Sequence, residues 1–315
     1  MPPLISAVLI AIPTFIYAAI VRRVDRFEKE PTKYLIVAFL WGAVPAALLA
    51  LIAQLVLAIP TEAVFGEGQA NALSTSVYAP ITEEVFKAIA VGVIYFWRRR
   101  EFDGWVDGIV YGSTVGFGFA YVENILYLTQ AASVGEWVGL FFLRVIIFGF
   151  MHGFYTSLTG IGFGLARHAR TNGQKLLYVA SGLLLAIFTH AAHNTSLILA
   201  DVTGAASLCG GALNYLLLIG LMVGLSRVGT RHEKQMFRTY LVDEVPDVIS
   251  QPVYEALSNA RHNDPKLPQP RRSFLHLAGE LAQRKKQLLA HGEMTMVSDI
   301  DHLREKLRMM KTIDH

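Results

Sequence analysis

Seven apolar stretches dominate the first 226 positions, at about residues 4 to 21, 34 to 59, 78 to 97, 104 to 128, 137 to 165, 176 to 199 and 207 to 226. The hydrocarbon core of a bilayer takes about 20 mostly apolar residues per helix, so each stretch predicts a transmembrane helix. From about residue 227 onward the apolar runs end and a helical period of the soluble kind begins. Leu277, Leu281 and Leu288 follow it, as do Ile300, Leu303, Leu307 and Met310, with Ser298 and Asp301 as a capping signal. Pro265, Pro268 and Pro270 predict a linker ahead of them. The fold class expected is all-α: a polytopic membrane bundle of about seven transmembrane helices over 1–226, then a small cytosolic helical region over 227–315.

Charge refines this into an orientation. Arg22, Arg23, Arg26, Lys29 and Lys33 follow the first stretch, Arg98, Arg99 and Arg100 the third, Arg167, Arg170 and Lys175 the fifth, and Arg227 and Arg231 the seventh. The alternate connections, 60–77, 129–136 and 200–206, carry Glu62, Glu67, Glu136 and Asp201 and no Lys or Arg. The positive-inside bias then predicts an N-terminus outside, a cytoplasmic C-terminus and residence in the cell's inner (plasma) membrane. The first stretch reads as an uncleaved signal anchor, because its basic cluster follows it.

Composition excludes the soluble classes. Hydrophobic residues make up 53% and charged residues 17%, against roughly 25% charged in a soluble domain. Of the charges, 15 of 28 Lys and Arg and 12 of 25 Asp and Glu lie beyond residue 226. The net charge of +3 is explained by the membrane flanks, so no nucleic-acid partner is expected. Cys209, the single cysteine, excludes a disulfide framework and reads as a buried apolar thiol. The tail's composition suits docking to a cytosolic partner or homo-oligomer formation.

Chemistry enters where polar groups interrupt the apolar stretches, since a charge near the bilayer centre costs about 2.5 to 3.5 kcal/mol and normally faces protein. Glu83, Glu84 and Lys87 open the third stretch; Lys87 lies one helical turn from Glu83, so one carboxylate can be neutralised while the other stays available. Glu123 and Asn124 end the fourth, with no cation in their own turn. Upstream of them Gly104, Gly108, Gly112 and Gly116 form a flat packing face. His152 lies deep in the fifth stretch, after Arg144, a residue suited to snorkelling or to balancing a buried glutamate. His190, His193 and Asn194 share a turn of the sixth. With about 1.5 Å of rise per residue, all of these fall in the outer half of the membrane, which predicts one shared site.

Carboxylates, imidazoles and an amide suit hydrolysis: a glutamate takes a proton from water, and imidazole or amide groups hold a metal or a developing oxyanion. No serine or cysteine nucleophile is well placed, and the zinc pattern His-Glu-x-x-His is absent. A cation- or proton-coupled transporter is the alternative, with a non-catalytic membrane scaffold third. The transporter reading would expect a midplane site and internal repeats.

Glu83-Glu84-x-x-Lys87, Phe119-x-x-x-Glu123-Asn124, Phe148 to His152 and His190-x-x-His193-Asn194 resemble the motif set of the PrsW family of intramembrane proteases. That family is similar to the wider group of CAAX prenyl endopeptidases and bacteriocin-processing proteases. The resemblance covers about residues 30 to 225; Lys87, where the wider group has an arginine one residue further on, and Glu123 depart from the wider pattern. It implies cleavage of a membrane-anchored protein, an anti-sigma factor being the family's substrate; the outer-half clustering of Glu83, Glu84, Glu123, His152 and His190 predicts that a single-pass substrate is cut near its extracytoplasmic boundary. It implies that Glu83 or Glu84 with His152 activates water, and that His190 and Asn194 hold the oxyanion. A mechanism requiring no cofactor is expected, with His193 in support. The alternative is a divalent metal such as zinc on His152, His190 and His193.

Overall fold

The computed structural model describes residues 2–23, 30–98, 101–259, 269–291 and 295–313, and among these there are helices and no strands. Arg26, Lys29, Arg99, Arg100, Pro265 and Pro268 lie outside them. The chain forms two compact units, the first ending at Gly224 and the second running over Leu225–His315.

The first unit begins with α1 (Pro3–Val21) and α2 (Thr32–Trp41), which passes through a π-helical turn, Gly42–Ala46, into α3 (Ala47–Phe65). Pro45 lies in that turn; lacking an N–H, it cannot sustain the i to i−4 ladder, and the wider turn absorbs the defect. The stretch 60–77, expected as a connection, is largely helical: α3 stops at Gly66, whose φ of 79° suits glycine alone, and α4 (Glu67–Leu73) and a π turn, Ser74–Tyr78, follow. They lead into α5 (Ala79–Trp97) and α6 (Trp105–Thr129).

α7 (Val134–Leu140) continues as a π segment, Phe141–Ile147, and the helix then breaks before α8 (Met151–Arg167). His152 is therefore in the first turn of a helix and not deep within an unbroken one. Tyr17 of α1 fills the break: its hydroxyl donates to the Val145 carbonyl at 2.9 Å, and its ring lies where a Cβ on Gly149 would go. Two long helices finish the unit. α9 (Asn172–Thr203) starts at a capping box between Thr171 and Gln174, and α10 (Ala205–Tyr240) follows Gly204. Cys209 on α10 is exposed and not buried, because it lies on the face that also leaves Leu213 and Leu216 uncovered.

Among the described residues, five stretches are long and apolar enough to cross a membrane: Pro3–Val21, Thr32–Phe65, Val134–Arg167, Asn172–Ala200 and Ala205–Tyr240. The chain is a multi-pass membrane protein. α5 and α6 occupy the remaining two predicted stretches; α5 carries the buried Glu83, Glu84 and Lys87, and α6 is buried without interruption from Gly108 through Ala120.

That burial rests on glycine. A Cβ on Gly108, Gly112 or Gly116 would strike the backbone of Gly160, Thr156 or His152 in α8, and Gly164 of α8 abuts Gly104 in the same way. The two backbones touch along four rungs spaced one helical turn apart, the close approach that small residues permit in membrane helices. The opposite side of α6 meets the earlier helices, where Gly118 lies against the backbone of Phe39 and Ala43. α6 is thus clamped from two sides, and its C-terminal residues are delivered beside the start of α8.

The second unit packs the end of α10, α11 (Gln251–Asn259), α12 (Gln269–His291) and α13 (Thr295–Ile313) around Phe237, Leu241, Ile249, Leu281, Leu303 and Leu307. The spacing of Leu277, Leu288 and Met310 puts them at the edge of this core. α13 begins at Thr295, so Ser298 lies within the helix and is not its cap. Glu244 is buried here and accepts from Lys285 Nζ and Arg304 Nη2, each at 2.7 Å. Burial pushes its carboxyl up, but the hydrogen bonds from Arg304 and Lys285 outweigh this and hold it below the usual carboxylate range.

Two outcomes follow from this packing. Gly112→Leu should force α8 away from α6 and cost about 1 to 3 kcal/mol or more by overpacking, whereas Gly220→Leu, with open space around it, should cost little; thermal unfolding in detergent compares them, and equal losses would count against the ladder. In the second unit, a carboxylate held low in the folded state stabilises above its unfolded pKa, and that contribution disappears as pH falls through the folded value. Urea unfolding of the tail should therefore show stability lost with acid below the ordinary glutamate value of 4.5, with a shallower loss in Glu244→Gln. Parallel acid profiles would refute the assignment.

Candidate active site

α5 brings two adjacent carboxylates and an ammonium into one place because residues three and four apart share a helix face. Lys87 Nζ has no exposure and lies 2.9 Å from Glu84 Oε1 and 3.4 Å from Glu83 Oε2. Lys87 thus contacts both glutamates, the nearer being Glu84. Glu84 is fully buried and saturated: besides Lys87 it accepts from Thr156 Oγ1 of α8 at 3.0 Å and meets His190 Nδ1 of α9 at 3.1 Å. Glu83 is held more loosely. Its other neighbours are Gln54 Nε2 of α3 at 3.3 Å and His190 Nε2 at 3.9 Å.

His152 links this cluster to α6. Its Nδ1 lies 3.1 Å from Lys87 Nζ and its Nε2 lies 2.9 Å from Glu123 Oε2. An ammonium has only donors, so Nδ1 accepts, and Nε2 carries the hydrogen that goes to the Glu123 carboxylate. The same logic gives His190 the other tautomer: Nδ1–H donates to Glu84, leaving Nε2 as an acceptor facing Glu83. Glu123 finds its cation on another element, Arg144, whose Nη2 donates to Oε2 at 2.8 Å while its Nε donates to Asn124 Oδ1 at 3.0 Å. Arg144 balances a buried glutamate, and the Tyr127 ring lies 3.7 Å beneath its guanidinium.

Beside the cluster is a cavity of about 220 Å³ lined by Glu123, Arg144, His152, His190, His193 and Asn194. The His190 ring stacks on Tyr155 at 4.7 Å, which fixes its plane. His193 Nδ1 is buried without a hydrogen-bond partner among the described residues. Asn194 gives one amide hydrogen to the Thr75 carbonyl at 2.9 Å. The six site residues expected from the sequence, together with His193, therefore converge from α5, α6, α8 and α9. Gln54, Phe119, Thr156 and Tyr155 join them; Gln54, an amide inside an apolar stretch, carried a signal, whereas Thr156 and Tyr155 are ordinary residues whose role comes from position.

Residues 30–225 match the family described as PrsW family intramembrane metalloprotease. The chain belongs to the PrsW family. It is 31% identical over 176 residues to Protease PrsW of Geobacillus kaustophilus, covering 55% of this chain and 71% of that protein. It is 27% identical over 184 residues to Protease PrsW of Clostridioides difficile, covering 58% and 74%. With Protease PrsW of Bacillus subtilis it shares 35% identity over 96 residues, 29% of this chain and 42% of that one. No solved structure matches. This PrsW-family protein is an intramembrane protease, and membership disfavours the transporter alternative.

The family description names a metal, and the donor atoms of Glu83, His152 and His190 lie within 4.8 Å of one another, the group among the described residues that could gather round an ion. Glu83 stands in this group where the sequence suggested His193. One carboxylate and two imidazoles match a familiar catalytic zinc set. Yet both nitrogens of His152 are engaged, one by the Lys87 ammonium and the other by Glu123. The same ammonium lies 3.4 Å from Glu83. A divalent ion on these donors would share their space with a buried cation, so the arrangement does not fit one.

The two glutamates should differ in what their loss does. Glu84→Ala leaves a buried ammonium short of its closest partner and should cost about 3 to 5 kcal/mol, while Glu83→Ala removes a loosely held group and should cost much less. Melting temperatures of the two variants in detergent measure the difference; a Glu83→Ala variant as unstable as Glu84→Ala would contradict it.

Proposed function

We propose that this protease hydrolyses a peptide bond of a single-pass membrane protein near its extracytoplasmic boundary, an anti-sigma factor being the substrate class that the resemblance implies. The supporting observation is that Glu83 Oε2 and His190 Nε2, both acceptors, stand 3.9 Å apart, and that His190 also lines the cavity. One water can donate to both, which leaves its lone pair directed at a carbonyl carbon. Glu83 is then the general base, and Glu84 and Lys87 hold it and His190 in register. His152, with both nitrogens committed, orients the cluster through Glu123 and is not itself the base. Asn194 turns its second amide hydrogen to the oxyanion, and His193, at the same wall, is the nearest imidazole able to add a second donor. No cofactor is required in this reading.

The placement of charges along the sequence supports seven spans, an N-terminus outside and a C-terminus in the cytoplasm, with 1–226 as the protease core and 227–315 as a cytosolic appendage. The membrane is then the cell's inner membrane, and the outer-half placement of the site residues along the sequence puts the cut where the substrate leaves the bilayer.

Purified protein in detergent should cleave tagged single-pass proteins. Glu83→Gln should lose about 100- to 10,000-fold in rate, the range of a general base, with an unchanged melting temperature, and Asn194→Ala should lose about 100- to 1000-fold, the range of one oxyanion donor. Cleavage undiminished in Glu83→Gln would sink the assignment of the centre.

A further inference from the structure

We propose that the Lys87 ammonium is the resident cation of this centre, standing where a divalent ion would otherwise bridge Glu83 and His152. The proposal rests on reading the cluster as the hydrolytic site, but its test reads metal binding. Lys87 Nζ has three donors and meets three acceptors: Glu84 Oε1 at 2.9 Å, His152 Nδ1 at 3.1 Å and Glu83 Oε2 at 3.4 Å. A fourth side is closed by the face of Phe119, 3.8 Å from Nζ to the ring centroid, which favours a cation by its quadrupole. The result is a complete cage for one positive charge, built from α5, α6 and α8.

This cage overlaps the donor group of Glu83, His152 and His190. Zinc binds carboxylate oxygen and imidazole nitrogen at about 2.0 to 2.2 Å, so an ion on Glu83 and His152 would be a close neighbour of Nζ. The side chain has no exposure, and hence no solvent into which it can swing. A divalent ion and the ammonium therefore exclude each other. The ammonium performs the electrostatic part of a metal's task, compensating two carboxylates and fixing His152. It leaves water activation to a carboxylate.

The test uses the full chain in detergent, equilibrated with Zn²⁺, stripped of loose metal and assayed for zinc per chain, with Co²⁺ absorption as a second reading of the coordination. Wild type and Lys87→Arg, which keep the charge, should retain well below one zinc and show no tetrahedral Co²⁺ bands. Lys87→Met, in which the donors remain and the cation is gone, should take up close to one zinc, with affinity raised at least about tenfold by removal of the like charge. Stoichiometric zinc in wild type, unaltered in affinity by Lys87→Met, overturns the proposal, and so does a folded Lys87→Met that takes up none. Should Lys87→Met fail to fold by circular dichroism, wild type decides alone: tetrahedral Co²⁺ bands and one zinc per chain refute it, and metal-free protein whose cleavage withstands chelation supports it. Full cleavage by Glu83→Gln would instead defeat the hydrolytic reading and leave the zinc counts to be judged by themselves.

Discussion

A lysine ammonium sealed from solvent in a protein that lives in lipid must be compensated by carboxylates and other acceptors at close range. Taking a charge from water into such surroundings costs several kcal/mol per ion even after relaxation, and the attraction that offsets it is greatest at contact distance. Lys87 therefore dictates that Glu83, Glu84 and His152 stand within 3.4 Å of one atom. Because His152 comes from α8 and the ring beneath Nζ from α6, one charge fixes the mutual positions of three helices.

The helices can meet that demand because their backbones lie so close. With glycine at 108, 112 and 116 the backbones touch, and Thr156 Oγ1 arrives 3.0 Å from Glu84. The break before Met151 works in the same direction. It starts a fresh helix at the depth of Glu123, so that His152 occupies an opening turn, and Tyr17 occupies the gap the break leaves. Packing and electrostatics are thus coupled: small residues set the distances, and the buried charges make those distances matter.

Much of this was legible in the sequence, and the parts that were not share a cause. Charged residues inside apolar stretches announce themselves, so Glu83, Glu84, Glu123 and the three histidines could be singled out, and the glycine spacing showed a packing face. Partnership between helices could not be read. Glu123 shows an uncompensated charge, but nothing local says that Arg144 answers it, since that contact depends on how a π segment rotates the helix carrying Arg144. The same π segments are invisible to a regular 3.6-residue period. The helical character of 60–77 was missed because a polar, lysine-free stretch between spans reads as a loop. Cys209 was misjudged because apolar neighbours in sequence imply burial in water but not in lipid.

The two histidines show how far one residue's chemistry propagates. Lysine offers only donors, so His152 must accept at Nδ1 and must donate from Nε2 to Glu123, which Arg144 then completes. On the other side, the Glu84 carboxylate, paired with the same ammonium, offers only acceptors, so His190 must donate from Nδ1 and present a bare Nε2 toward Glu83. Two imidazoles whose rings lie 5.0 Å apart at right angles are thereby set in opposite tautomers by a single cation. The site's polarity runs outward from Lys87: one arm ends in a saturated ion pair that gives rigidity, and the other ends in two acceptors that face each other. His190, on the second arm, lines the same cavity as Glu123, Arg144 and His152 of the first, so the two arms meet again at that space.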